Sequence, residues 1–166
     1  MKKIGLLSDT HGYLDEVILT HFSNCDEVWH AGDWGNRETA DKLKELKGVV
    51  IKGVYGNIDG YDIRSEFPEQ LVFTCEEVKV LIRHIGGYPP RYNPETRKEL
   101  QLHQPQLFIA GHSHILKVQY DEQLHCLHMN PGAAGKQGWH KVRTLLRFVI
   151  DGKDIRQCEV IELGKR

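Results

Sequence analysis

The stretch KKIGLLSDTHG, residues 2–12, places a short apolar run directly before an aspartate, a histidine and a glycine. A run this short and continuous predicts a buried β-strand over residues 2–8. Asp9 and His11 then lie where the strand ends. Because α/β proteins place their functional sites at the carboxyl ends of parallel strands, both residues are candidates for such a site.

Strand-like and helical patterns alternate over the first third of the chain. Helical patterns cover residues 15–25 and 36–48, and further strand-like runs cover residues 26–33 and 49–57. This alternation predicts parallel strands joined by right-handed crossovers in an α/β sheet.

The chain changes character after Pro68. Residues 70–87 predict a hairpin that turns at Glu76 and Glu77, and residues 93–104 predict one helix. Short strand-like runs follow, with a turn at Asp151 and Gly152. We expect this half to be strand-rich and mostly antiparallel, so that the two halves form two sheets packed together with helices outside.

Composition, charge and cysteine spacing limit the classes of protein to which the chain can belong. The chain has 166 residues, of which 40% are hydrophobic and 27% charged, and this predicts a single globular domain over residues 1–166. A formal charge of -1 argues against tight binding to nucleic acid or an anionic membrane. The first apolar run is too short for a signal peptide or a membrane span, and the four cysteines form no C-x-x-C pair. We therefore expect a cytoplasmic location.

Residues of metal-binding type follow five of the predicted strands, each next to or near a glycine. They are Asp9, His11, Asp33, Asn57, His84, His112 and His114. Because residues i and i+2 of an extended chain point to the same side, Asp9 with His11, and His112 with His114, each predict a two-ligand claw. For His112 and His114 taken alone, the alternative to metal binding is an ordinary turn after a strand.

Two carboxylates, four imidazoles and one amide are too many ligands for one ion. They suit two ions that share a bridging carboxylate. Mixed oxygen and nitrogen ligands without a thiolate favour manganese, iron, zinc or nickel over magnesium, calcium or copper(I). We therefore expect two divalent ions, with manganese as the first choice and iron, zinc or nickel as alternatives.

The motifs occur in a defined order: D-x-H, G-D, G-N-x-D, a strand-end histidine and G-H-x-H, with NPGA at residues 130–133. This set resembles the calcineurin-like metallophosphoesterase superfamily, and within it the small single-domain phosphodiesterase branch. The resemblance implies a four-layer α/β/β/α sandwich of two mixed sheets, with helices on both outer faces.

The resemblance also implies how the ligands divide between two metals. The first metal would be held by Asp9, His11, Asp33 and His114. The second would be held by Asp33, Asn57, His84 and His112. Asp33 would bridge the two ions.

Two positions depart from the family pattern. Ile58 stands where larger members carry a histidine that helps to protonate the leaving group, and many small members carry a cysteine there. His84 is followed by Ile85, Gly86 and Gly87 instead of continuing as His-Gly-His. Without a proton donor at position 58, activated diesters should be cleaved better than alkyl diesters.

The expected activity is hydrolysis of a small phosphodiester by a metal-bridging hydroxide, with Asp33 and Asn57 as catalytic residues. Asn57 and Arg91 are candidates for substrate binding, and a solvated basic loop is the alternative for Arg91. For the whole protein, the alternatives are a non-catalytic scaffold of the same fold that binds protein partners, or a phosphomonoesterase. A nuclease is disfavoured because the chain has no basic stripe. The oligomeric state is left open.

Overall fold

The computed structural model describes residues 1–166 and contains twelve strands and four helices. The strands are β1 (Lys2–Leu7), β2 (Glu27–His30), β3 (Val50–Gly53), β4 (Gln70–Cys75), β5 (Val78–Arg83), β6 (Gly87–Tyr88), β7 (Arg91–Tyr92), β8 (Leu107–Ile109), β9 (Leu116–Asp121), β10 (Cys126–Pro131), β11 (Val142–Asp151) and β12 (Asp154–Lys165). The helices are α1 (Glu16–Phe22), α2 (Arg37–Lys44), α3 (Tyr61–Arg64) and α4 (Pro94–His103).

The three longer helices begin where the sequence supplies a capping side chain. Asp15 precedes α1, Asn36 precedes α2 and Asn93 precedes α4, and each side chain accepts a hydrogen bond from the backbone N–H three residues later. Such a cap satisfies a backbone donor that the first helical turn leaves unpaired. These three helices confirm the helical patterns of the sequence, whereas the short helix α3 was not predicted.

The first sheet has the order β12-β11-β1-β2-β3. Strands β1, β2 and β3 are parallel, as the alternating pattern predicts. The last two strands of the chain complete this sheet, because β11 pairs antiparallel with β1 and β12 pairs antiparallel with β11. The expectation that each half of the chain forms its own sheet is therefore wrong for residues 142–165, which satisfy the otherwise unpaired edge of β1.

The second sheet has the order β4-β5-β8-β10-β9. The hairpin of β4 and β5 turns at Glu76 and Glu77, as predicted. The centre of the sheet is not antiparallel as expected, because strands β5, β8 and β10 run parallel. Helix α4 lies between β5 and β8 in the chain and supplies the crossover that a parallel pair requires.

The two sheets pack face to face around one hydrophobic core. Trp29 of the first sheet and Ile109 of the second are fully buried in this layer. On the outer face of the first sheet, Phe22 of α1 and Leu43 of α2 share a second core cluster. Leu100 of α4 packs in a third cluster on the outer face of the second sheet. The result is the expected α/β/β/α sandwich of two mixed sheets.

A small hairpin, formed by β6 and β7, lies between β5 and α4. Pro89 and Pro90 form its turn and are joined by a cis peptide bond. The hairpin carries Tyr88 and Arg91 beside the loop that follows β5. None of the helices is long and apolar enough to cross a membrane.

Candidate metal centre

All seven predicted ligands lie in the loops that follow parallel strands. Asp9 and His11 follow β1, Asp33 follows β2 and Asn57 follows β3. In the second sheet His84 follows β5, and the pair at residues 112 and 114 follows β8. The carboxyl ends of both sheets therefore meet at one edge of the sandwich.

Five of these residues have a left-handed backbone. The φ angles are 55° at Asp9, 46° at His11, 58° at Asp33, 66° at His112 and 58° at His114. The expectation of an extended backbone at the i, i+2 pairs is therefore wrong, although Asp9 and His11 do belong to one group of ligand atoms. Left-handed backbone is unfavourable for residues with a Cβ atom, and its concentration at one place is typical of a functional site.

The first group of side chains contains Asp9, His11 and His114, whose ligand atoms all lie within 4.8 Å of one another. His114 Nε2 lies 3.1 Å from Asp9 Oδ1, and His11 Nε2 lies 3.8 Å from the same oxygen. Asp9 is completely buried. A buried carboxylate facing two imidazole nitrogens is a ligand set suited to a divalent cation.

The second group contains Asp33, His84 and His112, whose ligand atoms also lie within 4.8 Å of one another. His84 Nε2 lies 3.2 Å from Asp33 Oδ2. The same oxygen lies 3.5 Å from His11 Nε2, which belongs to the first group. Asp33 therefore lies between the two groups, while His112 and His114 divide between them instead of acting as one claw.

Three buried atoms of these groups have no hydrogen-bond partner. They are Asp9 Oδ1, His11 Nε2 and His84 Nε2. Burying such groups without a partner costs free energy, and a bound cation would supply the missing interactions. The three atoms have lone pairs without a partner, and this fits a site that binds divalent metal ions.

The imidazole and carboxylate groups are held by further hydrogen bonds. His84 Nδ1 lies 2.7 Å from the carbonyl oxygen of Ala31, which leaves Nε2 directed at Asp33. The backbone N–H of His112 donates to Asp9 Oδ2 over 3.1 Å, and that of Ile58 donates to Asp33 Oδ1 over 3.1 Å. Such outer contacts orient metal ligands.

The charges in the site shift several pKa values. Burial raises the pKa of Asp9, but the contacts with His11 and His114 outweigh it and hold that pKa well below its ordinary value. Asp9 raises the pKa of His11. Burial lowers the pKa of His84, but Asp33 and Asp9 outweigh burial and raise it. A cation that binds here would displace protons from these two imidazoles.

His30 lies beneath the site and is completely buried. Its ring stacks on Trp34, with centroids 3.8 Å apart, and its Nδ1 accepts a hydrogen bond from the N–H of Gly32. Burial lowers its pKa to about 3, so the ring is neutral at pH 7. His30 thus both packs under the site and holds the backbone next to Asp33.

Two neighbouring cavities open beside the centre, and Ile85 and Asn93 line both of them. Asn57 is exposed and lines a polar cavity of about 340 Å³ together with His84. Arg91 is exposed and lines a second cavity of about 460 Å³ together with His112. Asp59 accepts hydrogen bonds from the backbone of Gly35 and Gly56, so it fixes the loop that carries Asn57.

Comparison with known proteins identifies the family. The profile of the calcineurin-like phosphoesterase superfamily domain matches residues 1–153. This chain belongs to that superfamily. A probable metallophosphoesterase of Methanocaldococcus jannaschii is 31% identical to this member over 139 residues, which cover 78% of this chain and 67% of the relative.

Solved structures share the calcineurin-like fold with this chain. A structure described as a novel archaeal phosphodiesterase superimposes with a TM-score of 0.75 at 24% identity, covering 97% of this chain and 99% of that one. Vps29 from Entamoeba histolytica in complex with zinc superimposes with a TM-score of 0.73 at 18% identity, covering 96% and 98%. At these identities the similarity shows the calcineurin-like fold alone.

Two residues near the centre were missed by the sequence analysis. His140 lies on the loop before β11, and its Nδ1 is 3.3 Å from Nδ1 of His114. His128 lies in the wall of the larger cavity and is buried. Neither histidine belongs to one of the calcineurin-like family motifs. No local pattern in the sequence therefore identifies them.

Proposed function

We propose that this protein is a phosphodiesterase that depends on two divalent metal ions. The observation that carries the proposal is the position of Asp33, whose Oδ2 lies 3.2 Å from His84 Nε2 and 3.5 Å from His11 Nε2. One carboxylate beside imidazoles of both groups is the arrangement that a bridged pair of cations requires.

The ligand sets follow the two groups. One ion would be held by Asp9, His11, Asp33 and His114. The other would be held by Asp33, Asn57, His84 and His112. The grouping of the carboxylates and imidazoles in the structure supports this division. Asn57 lines the same polar cavity as His84, which supports its place in the second set.

Two divalent cations held here would lower the pKa of a bound water and neutralise charge that develops on the phosphoryl group. Asp33 and Asn57 would act as the catalytic ligands nearest the reacting phosphate. Ile58 offers no proton, so the leaving group would depart without a side-chain acid at this position. We take manganese as the first choice, with iron, zinc or nickel as alternatives, because the ligands mix oxygen and nitrogen.

A small diester is favoured over a monoester because the two arginines that line the polar cavity are already engaged by other groups of the protein. Arg64 donates hydrogen bonds to the backbone carbonyls of Asp59 and Asn57. Arg83 lines the polar cavity but lies 3.3 Å from Glu69 and 2.6 Å from Glu95. Its charge is therefore already neutralised. Asn57 and, in the other cavity, Arg91 are the proposed substrate contacts. The four unpaired cysteines support a cytoplasmic location.

A non-catalytic scaffold is the second candidate, since Vps29 structures are among the similar folds. The presence of all seven candidate ligands favours the enzyme. Activity distinguishes the two candidates, because a scaffold requires neither metal nor turnover.

The decisive experiment is hydrolysis of a chromogenic aryl phosphodiester by metal-stripped protein that is reloaded separately with manganese, iron, zinc, nickel or magnesium. We expect metal-dependent turnover that Asp33→Asn reduces by more than about a hundredfold. Asp62→Asn, which changes an exposed aspartate, is the matched control. Absence of turnover with every metal, in correctly folded protein, would overturn the phosphodiesterase proposal. The non-catalytic scaffold would then be the remaining candidate.

A further inference from the structure

The larger cavity beside the metal centre has the features of a binding site for one arm of the substrate. Its volume of about 460 Å³ falls in the range of small-molecule sites. It is bounded by His112, by the hairpin of β6 and β7, and by strands β9 and β10. A group bound in the cavity would therefore be adjacent to a phosphate at the second ligand group.

The walls of the cavity are apolar and aromatic. Ile85 and Ile115 are exposed at the surface, and Tyr88 and Tyr92 come from the small hairpin. Planar side chains of this kind stack on planar rings, and the contact tolerates different ring types. The shape and chemistry of the walls favour a flat ring over a short alkyl group.

The charge of the cavity is positive. Arg91 and Lys117 line it, and neither side chain forms a salt bridge. Lys117 Nζ lies 4.1 Å from the centroid of the Tyr88 ring, so the cation also covers one aromatic wall. No aspartate or glutamate lines the cavity. The cavity therefore attracts an arm that carries negative charge next to its ring.

His128 adds a polar group to the buried part of the wall. It is 1% exposed, and its Nδ1 has no hydrogen-bond partner. Burial lowers its pKa to about 4, so at pH 7 the ring is neutral and carries one donor and one acceptor nitrogen. The ring therefore packs in the buried wall of the cavity without adding charge to it.

We propose that this cavity binds a nucleoside arm of the phosphodiester. The ring of the arm stacks on the aromatic walls, and Arg91 and Lys117 stabilise the charge of the attached phosphate. The assignment rests on the proposed phosphodiesterase function for its biological meaning, but the cavity itself can be tested without turnover.

The first test measures equilibrium binding to metal-stripped protein by titration calorimetry. The ligands are adenosine 5′-monophosphate, ribose 5-phosphate and adenosine, so that ring and charge are removed one at a time. We expect the complete nucleotide to bind at least about tenfold more tightly than either fragment. Equal affinity for nucleotide and ribose 5-phosphate, or no binding of the nucleotide, would overturn the proposal.

Variants assign the contacts. Tyr88→Ala should remove the advantage of the nucleotide over ribose 5-phosphate, and Lys117→Gln should remove its advantage over adenosine. Tyr120→Ala and Lys98→Gln, which change exposed residues outside the cavity, are the matched controls. Thermal melting of each variant separates lost binding from lost folding. Folded variants with unchanged discrimination would overturn the assignment.

The second test separates this proposal from the proposed function. Metal-loaded protein is given thymidine 5′-(p-nitrophenyl phosphate) and methyl p-nitrophenyl phosphate, which share a leaving group and differ in the retained arm. We expect a higher kcat/KM for the nucleoside substrate. Turnover of both without preference would overturn the cavity proposal and leave the phosphodiesterase. Nucleotide binding without any turnover would support the cavity and overturn the phosphodiesterase.

Discussion

His140 and His114 face each other through their Nδ1 atoms, which lie 3.3 Å apart. His140 Nε2 lies 2.9 Å from the carbonyl oxygen of Gly135, so this nitrogen is the donor. Burial lowers the pKa of His140 and favours its neutral form. Nδ1 of His140 then accepts, Nδ1 of His114 donates, and His114 keeps a lone pair on Nε2 beside Asp9. The contact thus selects the tautomer of His114 that a metal ligand requires.

We expect His140→Ala to weaken metal binding at the group of Asp9, His11 and His114 by about tenfold to a hundredfold, the usual effect of removing such an orienting partner. Binding at the group that contains His84 should change much less. Stepwise zinc titration of metal-stripped protein measures both affinities. His125→Ala, which removes an exposed histidine, is the control, and equal weakening in both variants would contradict the role of His140.

The backbone of Gly111 approaches the site too closely for any side chain. A Cβ atom there would collide with Ser8 Oγ and lie 3.0 Å from both Asp9 Oδ2 and His84 Nδ1. We expect Gly111→Ala to lower the free energy of unfolding by about 1–3 kcal/mol through overpacking, and to weaken metal binding as well. Urea unfolding and metal titration measure the two effects.

Gly60→Ala is the control for Gly111→Ala. Its Cβ would meet only the end of the exposed Asp62 side chain, at 3.2 Å. That side chain can move away, so stability and metal affinity should remain close to wild type. If Gly60→Ala and Gly111→Ala behave alike, close packing at Gly111 does not hold the ligands.

Burial of His128 makes the stability of the fold depend on pH. Its folded pKa of about 4 lies below the ordinary value of 6.5. Between these values the unfolded chain binds a proton that the folded chain does not, so stability is lost as the pH falls from about 6.5 to about 4. The loss from this residue is on the order of 3 kcal/mol at the lower limit.

His128→Leu removes this proton-linked loss. The free energy of unfolding, measured in urea at several pH values, should therefore fall less steeply with acid in the variant than in wild type. His125→Leu removes an exposed histidine of the same hairpin and serves as the control. Parallel curves for wild type and His128→Leu would show that His128 is not buried in its neutral form.

The convergence of the candidate ligands could be predicted from the sequence because each follows a recognisable apolar strand. The run before Asp9 ends at a glycine-containing turn, and the same pattern recurs at Asp33 and His112. Parallel strands then bring these ends together without further information. The left-handed backbone of Asp9 and His112 was not predictable, because it depends on tertiary hydrogen bonds such as that from Asp9 N–H to the carbonyl of Gly32.

The pairing of strands that are distant in the chain could not be predicted from local sequence patterns either. Ile4 lies opposite Phe148 in the first sheet, and nothing in either local pattern selects that partner over a strand of the second sheet. His140 and His128 acquire their roles only through such long-range contacts. A single histidine in a loop or a strand has no periodicity that distinguishes an orienting or ligand-binding residue from a surface one.

Position 58 gives a test of how the leaving group departs. The N–H of Ile58 donates to Asp33 Oδ1 over 3.1 Å, which places residue 58 beside the carboxylate that lies between both ligand groups. Ile58 is 45% exposed, so a larger polar side chain fits without disturbing the core. Ile58→His should therefore introduce a proton donor where the sequence has none, and raise the hydrolysis of poorly activated diesters most.

We expect Ile58→His to increase turnover of an alkyl phosphodiester by about tenfold relative to an aryl phosphodiester, because an aryl oxide leaves without protonation and an alkoxide does not. The increase should appear below the pKa of the introduced imidazole and disappear above it. Ile58→Phe adds bulk without a proton and is the matched control. If both variants keep the wild-type ratio of aryl to alkyl rates, proton donation at position 58 does not limit the reaction, and departure of the leaving group depends on other groups of the site.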